Sequence, residues 1–363
     1  MKYNIKEVYV DPSVRNLPFV VKAIRRLGKE YGREGVCSGD LSLGEKEDLL
    51  AKDRVYFVSY PGEVLKPCPG TTEHICCGYQ ILNIGTNCPM DCSYCILQSY
   101  FNQPGVRIFG NIEQRLQDVF GVIDAFNDRI FRVGTGEFTD SLALDPVVGW
   151  TELLVPEFSR RRNAVLELKT KTDHVERLLR IGVRDRIIVS WSLNAAEIVF
   201  HEEHGAASLK KRLEAARRCQ EEGYVLGFHF DPLIYYPGWR EDYLRTLELM
   251  DKLLEPKGII WISLGSFRFM PQLKYIIWRR HPRSIVTKGE FVPGRDGKMR
   301  YFKPIRVELY SFMREQLEQW SQDLGLYLCM ESPDIWETSM GWNPGNTESL
   351  SAYLDERVRK IFG

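Results

Sequence analysis

The stretch Cys88-Pro-Met-Asp-Cys92-Ser-Tyr-Cys95 places three thiols on one short segment, spaced C-x3-C-x2-C. It follows an apolar run at 81–84 across the turn 85–87. Three thiolates on a compact loop can hold three irons of a [4Fe-4S] cluster and leave the fourth iron open to a chelating cofactor. Zinc is the rival metal. A structural zinc ordinarily takes four protein ligands, and His74, Cys76 or Cys77 could supply the fourth. The chain has nine Cys, an odd number, and opens on the polar, charged run MKYNIKEVYVDP rather than on a leader pattern. That favours metal or redox use over a disulfide framework and reads as a cytoplasmic chain. No stretch approaches the roughly 18 apolar residues of a membrane span, so no membrane partner is expected.

Outward from the cysteines, two patterns alternate. Short β-rich runs fall at 81–84, 130–133, 165–168, 187–193, 225–230 and 259–264, with helical patterns at 112–127, 146–162, 173–182, 208–222 and 239–255 between them. In the fourth helical pattern Leu209, Leu213, Ala216 and Cys219 mark one buried face. Asp173 is placed to cap one helix and Gly223 to end another. Strands joined by helices form a parallel α/β sheet, whose site lies at the C-terminal ends of the strands. The expected division is an α/β extension over 1–80, the sheet over 81–265, and a C-terminal region over 266–363.

The strand-end segments bear this out in kind. After the second run comes Gly134-Thr-Gly-Glu137-Phe-Thr139-Asp140, after the third Lys169-Thr-Lys171-Thr-Asp173, at the end of the fourth Ser190-Trp191-Ser192-Leu193-Asn194, and after the fifth Asp231-Pro232-Leu233. Glu137 can pair with an ammonium and Lys171 with a carboxylate, while Ser192 and Asn194 can bond ribose or carboxylate oxygens. With its cysteine motif the chain resembles the radical S-adenosylmethionine (AdoMet) superfamily. The resemblance implies a partial (β/α)6 TIM-type barrel, a [4Fe-4S] cluster on Cys88, Cys92 and Cys95, and AdoMet on the open iron, cleaved reductively to a 5′-deoxyadenosyl radical. It implies AdoMet contacts from Glu137, Thr139, Asp140, Lys171, Ser192 and Asn194, a role beside the cluster for Tyr94, and a reductant of flavodoxin or ferredoxin type.

Further segments are similar to spore photoproduct lyase and its wider DNA-repair group. They are Cys92-Ser-Tyr-Cys95-Ile-Leu-Gln98, Thr170-Lys171-Thr-Asp-His174-Val, Ser192-Leu-Asn194-Ala, Lys211-Arg212-Leu-Glu-Ala-Ala216 and Gly223-Tyr-Val-Leu-Gly227-Phe, followed by Pro232 and Gly238-Trp239. The similarity implies a monomeric enzyme that reverses a thymine photoproduct in DNA. Two departures stand out. Glu137 occupies the position matching that family's hydrogen-returning Cys, with no Cys between Cys95 and Cys219, and Ile96 stands where the family has Tyr. A carboxylate cannot return a hydrogen atom as a thiol can, so that step is expected to be altered. Radical chemistry on a peptide, RNA or small molecule is the alternative, and a zinc-bearing nucleic-acid-binding module without catalysis is the third reading.

The charges total 49 Lys+Arg and 49 Asp+Glu, which excludes a chain basic throughout. The balance is uneven. Residues 268–306 hold eleven Lys/Arg against two Asp/Glu, leaving 38 against 47 elsewhere. That stretch interleaves charge with Phe269, Tyr275, Trp278, Phe291, Tyr301 and Phe302, as phosphate contact beside base stacking requires. Gly294-Arg-Asp-Gly297 reads as the turn of a β-hairpin. The resemblance to the lyase family, which has a lesion-contacting hairpin with an Arg-Tyr pair in this region, implies substrate contacts from Arg300 and Tyr301; Arg268 is expected beside them, and His229 is expected to face the barrel interior. Cys68, Cys76, Cys77 and Cys329 could ligate an auxiliary metal, and His201-Glu-Glu-His204 reads as a solvated helix face.

Overall fold

Apolar runs rich in Val, Ile and Leu are buried on both faces when helices cover both sides of a parallel sheet, and these runs behave so. The computed structural model describes residues 3–31, 52–71 and 74–363. Its main sheet has eight strands in sequential order: Leu65–Pro67, Gln80–Leu82, Phe131–Gly134, Ala164–Thr170, Ile187–Ser192, Val225–Leu233, Ile259–Ser266 and Leu326–Leu328. All pairs are parallel except the first, where Leu65 faces Leu82 antiparallel. The six expected strands are present, and the two extra ones cap the sheet's edges. Each is three residues long, too short to leave a periodic signal. The sheet curls as an open partial barrel, its C-terminal rim formed by the residues after Gly134, Thr170, Ser192, Leu233, Ser266 and Leu328.

The crossovers are helical. Ile112–Asp124, Glu176–Ile181, Leu209–Glu221 and Trp239–Leu253 match their expected spans within a few residues. The 146–162 pattern is instead two helices, Asp145–Val148 and Trp150–Ser159, divided at Gly149. Asp173 does not cap its helix: the helix starts at Glu176 after Val175, with no side-chain cap.

A second sheet fixes the cysteine loop. Its order is Glu7–Val10, Arg54–Val58, Val106–Phe109, Gly85–Thr86, with helix Pro18–Tyr31 in the same extension. Gly85 lies so close to the neighbouring strand that a Cβ there would stand 2.4 Å from the Arg107 carbonyl oxygen. Gly85–Thr86 and Val106–Phe109 pair antiparallel, so residues 88–105 form the connection between two paired strands. Residues 32–51, Cys37 among them, lie outside the described residues.

In the C-terminal region the hairpin forms as the turn predicts: Phe291–Pro293 pairs with Met299–Tyr301, which also pairs with Arg268–Phe269. Helix Lys303–Trp320 follows. The last helix, Thr347–Phe362, is tied to the barrel by buried Arg132, which donates to Asp355 at 2.7 Å and to Ser351 at 2.8 Å.

Candidate active site

The cysteine loop lies beside the barrel rim. Cys88 and Cys92 are buried and Cys95 is half-buried. Burial is the leading effect on Cys88 and Cys92 and pushes both thiols up, with the neighbouring cluster thiols adding to it. Such sulfurs ionise readily only against a cation, as metal ligands do. The Met90 N–H already donates to Cys88 Sγ at 3.4 Å, a bond that favours thiolate character. The donor set and its convergence on one loop fit an iron–sulfur cluster.

Two acidic residues hold that loop. Asp91–Cys92 pairs antiparallel with Glu203–His204, Glu203 opposite Cys92. The Glu202 carboxylate accepts from Ser93 Oγ, from Ser284 Oγ at 2.7 Å and from the Ile285 N–H at 2.8 Å. Gln98 donates to the Cys92 and Ser93 carbonyls at 3.1 and 2.8 Å, and Arg280 bonds both Gln98 and Asp91. Segments far apart in sequence thus close on the loop from three sides.

Glu203 is the hub between loop and rim. It accepts from Tyr94 Oη and Arg212, and Lys171 Nζ lies 3.2 Å from its Oε1 and 5.6 Å from the Tyr94 ring centre. The Glu203 and Arg212 side chains are both fully buried. Burial would raise the Glu203 carboxyl, but Arg212, Lys171 and the Tyr94 hydroxyl outweigh it and hold it down at about 2. The His201–His204 segment therefore divides: His201 is exposed beside Glu197, as a helix face should be, whereas Glu202 and Glu203 point inward and organise the site.

Along the rim, Glu137 pairs with Lys169. Asp140 accepts from the N–H groups of Leu142, Ala143 and Lys171 and from Thr170 Oγ1, all at 2.7–3.0 Å, which ties one strand-end loop to the next. Asn194 is similarly engaged, donating to the Pro232 carbonyl at 2.8 Å and accepting from Tyr243 Oη at 2.6 Å. Thr139 is buried and Ser192 half-buried at the same rim. Asp231 takes two 3.0 Å bonds from Arg268, whose Nη2 also lies 3.4 Å from Cys329 Sγ. Deeper in the barrel, His229 faces the interior as expected, with Nδ1 2.7 Å from Ser263 Oγ and Nε2 2.8 Å from Glu167 Oε1. Burial opposes ionisation of Glu167, yet His229, Ser190 and Lys169 bring its carboxyl down to about 2.

The hairpin presents its residues differently from the order of the sequence. Arg300 is buried and bonds Asp296 at 2.7 Å, while buried Tyr301 accepts the Tyr235 N–H at 3.1 Å. The outward features lie instead on helix Pro271–Arg280 and just beyond it. Tyr275 and Trp278 are 68% and 50% exposed, and Lys274 Nζ sits 4.8 Å from the Trp278 ring centre. Among the described residues Lys274, Arg279, Arg283 and Lys288 have no ion-pair partner, whereas Arg268, Arg280, Lys298, Arg300, Lys303 and Arg306 are each paired.

The sequence model of the family "Spore photoproduct lyase" matches residues 72–324. The chain belongs to the spore photoproduct lyase family. It is 27% identical over 243 residues to spore photoproduct lyase of Bacillus subtilis (strain 168), covering 65% of this chain and 70% of that one. It is 25% identical over 225 residues to the enzyme of Geobacillus sp. (strain Y412MC61), covering 60% and 66%. The fold matches a solved Cys→Ala mutant of spore photoproduct lyase with a TM-score of 0.79 at 22% identity, over 90% of this chain and 100% of that one. A double mutant with bound AdoMet and dinucleoside spore photoproduct matches with a TM-score of 0.75 at 22% identity, over 92% and 100%. Membership makes the chain a radical AdoMet enzyme of the lyase type, with AdoMet and a [4Fe-4S] cluster as its cofactors. The reading as a zinc-bearing module without catalysis is thereby set aside.

Within the family frame, the auxiliary metal expected at Cys68, Cys76, Cys77 and Cys329 has no assembled ligand set. Among the described residues no group of three or more His, Cys, Asp and Glu side chains is spaced to hold a metal ion. The same is true of the cluster cysteines, whose loop shows convergence rather than a closed trio. Sequence reading missed Glu202, Glu203, Glu167 and Lys169. Arg212, inside a segment shared with the family, was the available pointer to Glu203, because a fully buried Arg requires an acidic partner. No helix among the described residues is long and apolar enough to cross a membrane.

Proposed function

We propose that the chain reverses a photoproduct lesion in DNA by radical AdoMet chemistry at the C-terminal mouth of its barrel, with an altered hydrogen-return step. The observation that carries this reading is the family's cysteine loop fastened beside the rim that holds Lys171 and the Glu137–Lys169 pair. Solved relatives hold AdoMet and a dinucleoside spore photoproduct. When bound, the cluster and AdoMet supply a radical that takes a hydrogen atom from the substrate.

This chain's residues prepare that step. Cys88, Cys92 and Cys95 ligate the cluster. Glu137 receives the AdoMet ammonium and Lys171 its carboxylate, with Thr139, Ser192 and Asn194 lining the same rim. Asp140 works through the backbone, holding Lys171 and the 141–143 turn in place. Tyr94 is locked by Glu203 beside Lys171, and His229 closes the floor through Glu167. DNA meets helix Pro271–Arg280 and the segment after it, where unpaired cations stand beside exposed aromatics, while Arg268, Arg300 and Tyr301 shape the wall below. A flavodoxin- or ferredoxin-type donor supplies the electron, and the enzyme acts as a monomer in the cytoplasm.

Anaerobic turnover of reconstituted protein on UV-irradiated DNA and on dinucleoside spore photoproduct tests the reading. Repaired thymines and DNA-stimulated 5′-deoxyadenosine formation are expected. AdoMet cleavage indifferent to either substrate would transfer the chemistry to a peptide, RNA or small molecule.

A further inference from the structure

Radical repair leaves a carbon radical on the product once the lesion bond opens. Closing it requires a hydrogen atom from a bond weaker than C–H, and a thiol S–H is such a bond. Of the described cysteines, Cys88, Cys92 and Cys95 belong to the cluster loop, and Cys219 is buried on helix Leu209–Glu221. Cys68, Cys76, Cys77 and Cys329 remain, all partly exposed.

Cys329 directly follows the last barrel strand, Leu326–Leu328, and so stands on the rim that carries Glu137, Lys171 and Ser192. Its N–H donates to the Leu264 carbonyl at 2.8 Å, which continues the sheet by one residue. Its sulfur accepts from Arg268 at 3.4 Å, and the same guanidinium clamps Asp231 through two 3.0 Å bonds. Arg268 begins the strand that pairs with Met299–Tyr301, so this thiol faces the hairpin side of the mouth. Cys68 lies within electrostatic reach of both Cys329 and the Glu137–Lys169 pair. Burial is the leading effect on Cys329 and keeps it as S–H rather than thiolate, the form that can yield a hydrogen atom.

From this arrangement, which rests on the radical repair reading, we infer that Cys329 is the hydrogen-atom donor to the product radical, in place of the thiol absent at Glu137. A C–H bond forms on the product and the Cys329 S–H bond breaks, leaving a thiyl radical. One electron from the flavodoxin- or ferredoxin-type reductant and one proton from water restore the thiol.

Three measurements decide it. In D2O the Cys329 S–H exchanges, so wild-type repair of dinucleoside spore photoproduct should install one solvent deuterium in the product. C329A and C329S should lose repaired product at least about tenfold while still cleaving AdoMet. C329S keeps the shape and polar partners of the site, so its failure reports the S–H bond and not the fold. Equal yield and label in C329S would overturn the proposal. In iron-free protein, alkylation of Cys329 by a small maleimide should slow several-fold when the dinucleoside binds, and an unchanged rate would count against contact. If the wild type cleaves AdoMet but leaves the photoproduct untouched, the repair reading fails. The thiol is then judged by 5′-deoxyadenosine formed without substrate in D2O: its deuterium content should fall in C329S but not in C219S, and no difference between them removes Cys329 as a donor.

Discussion

A single carboxylate, Glu203, joins three functions, and its surroundings set its behaviour. It balances fully buried Arg212, holds Lys171 and receives Tyr94 Oη. Removing the charge leaves Arg212 buried without a counter-ion, so E203Q should lose about 3 kcal/mol of stability, measured by denaturant unfolding. The sign with pH follows from the depressed carboxyl. A group held at about 2 when folded, against 4.5 as an ordinary Glu, contributes stability above pH 4.5 and loses it as pH falls toward 2. Wild-type stability should therefore fall in that window more steeply than that of E203Q. Glu137 is a second case. Its proposed role toward the AdoMet ammonium predicts that E137Q weakens AdoMet binding about tenfold or more in equilibrium dialysis, with the cluster's absorbance unchanged. The rim position of Glu137 was legible because it follows a strand within a family segment. Glu203 was not, because adjacent acidic residues in a helix-like pattern look the same whether they face water or a buried Arg.

At the scale of elements, the long strands and helices were readable because each repeats its apolar period several times, and their ends shift by only a few residues. The edge strands were not readable, since Leu65–Pro67 and Leu326–Leu328 exist only by pairing with neighbours. The hairpin was legible through its turn. Gly297 has φ +75° with open space around its Cβ position, so Gly297→Ala should meet no clash but carry left-handed strain of about 1 kcal/mol. A modest drop in Tm is expected; a change beyond a few degrees would mean the turn supports more than itself. Burial of Arg300 and Tyr301 was out of reach of the turn signal, because alternation along a hairpin does not say which face the barrel will cover.

For the whole molecule, a net charge of zero conceals one basic stretch. Residues 268–306 carry the excess, yet six of their eleven cations are tied into ion pairs and Arg295 is engaged as well, which leaves Lys274, Arg279, Arg283 and Lys288 without an ion-pair partner among the described residues. About four phosphate contacts imply a slope of about −3.6 for log K against log salt on duplex DNA, measurable by fluorescence anisotropy. Reversing Lys274 and Arg279 to Glu should flatten it, and a flat wild-type response would remove this face from the DNA-binding proposal. The parallel barrel, the cysteine loop and the order of the rim segments could be read from the chain alone, because strand periodicity and cysteine spacing are local properties. Which charges are spent on one another, which aromatics reach solvent, and that Glu202, Glu203 and Cys329 stand at the mouth emerged with the folded chain, because burial and pairing depend on segments that meet from far apart in sequence.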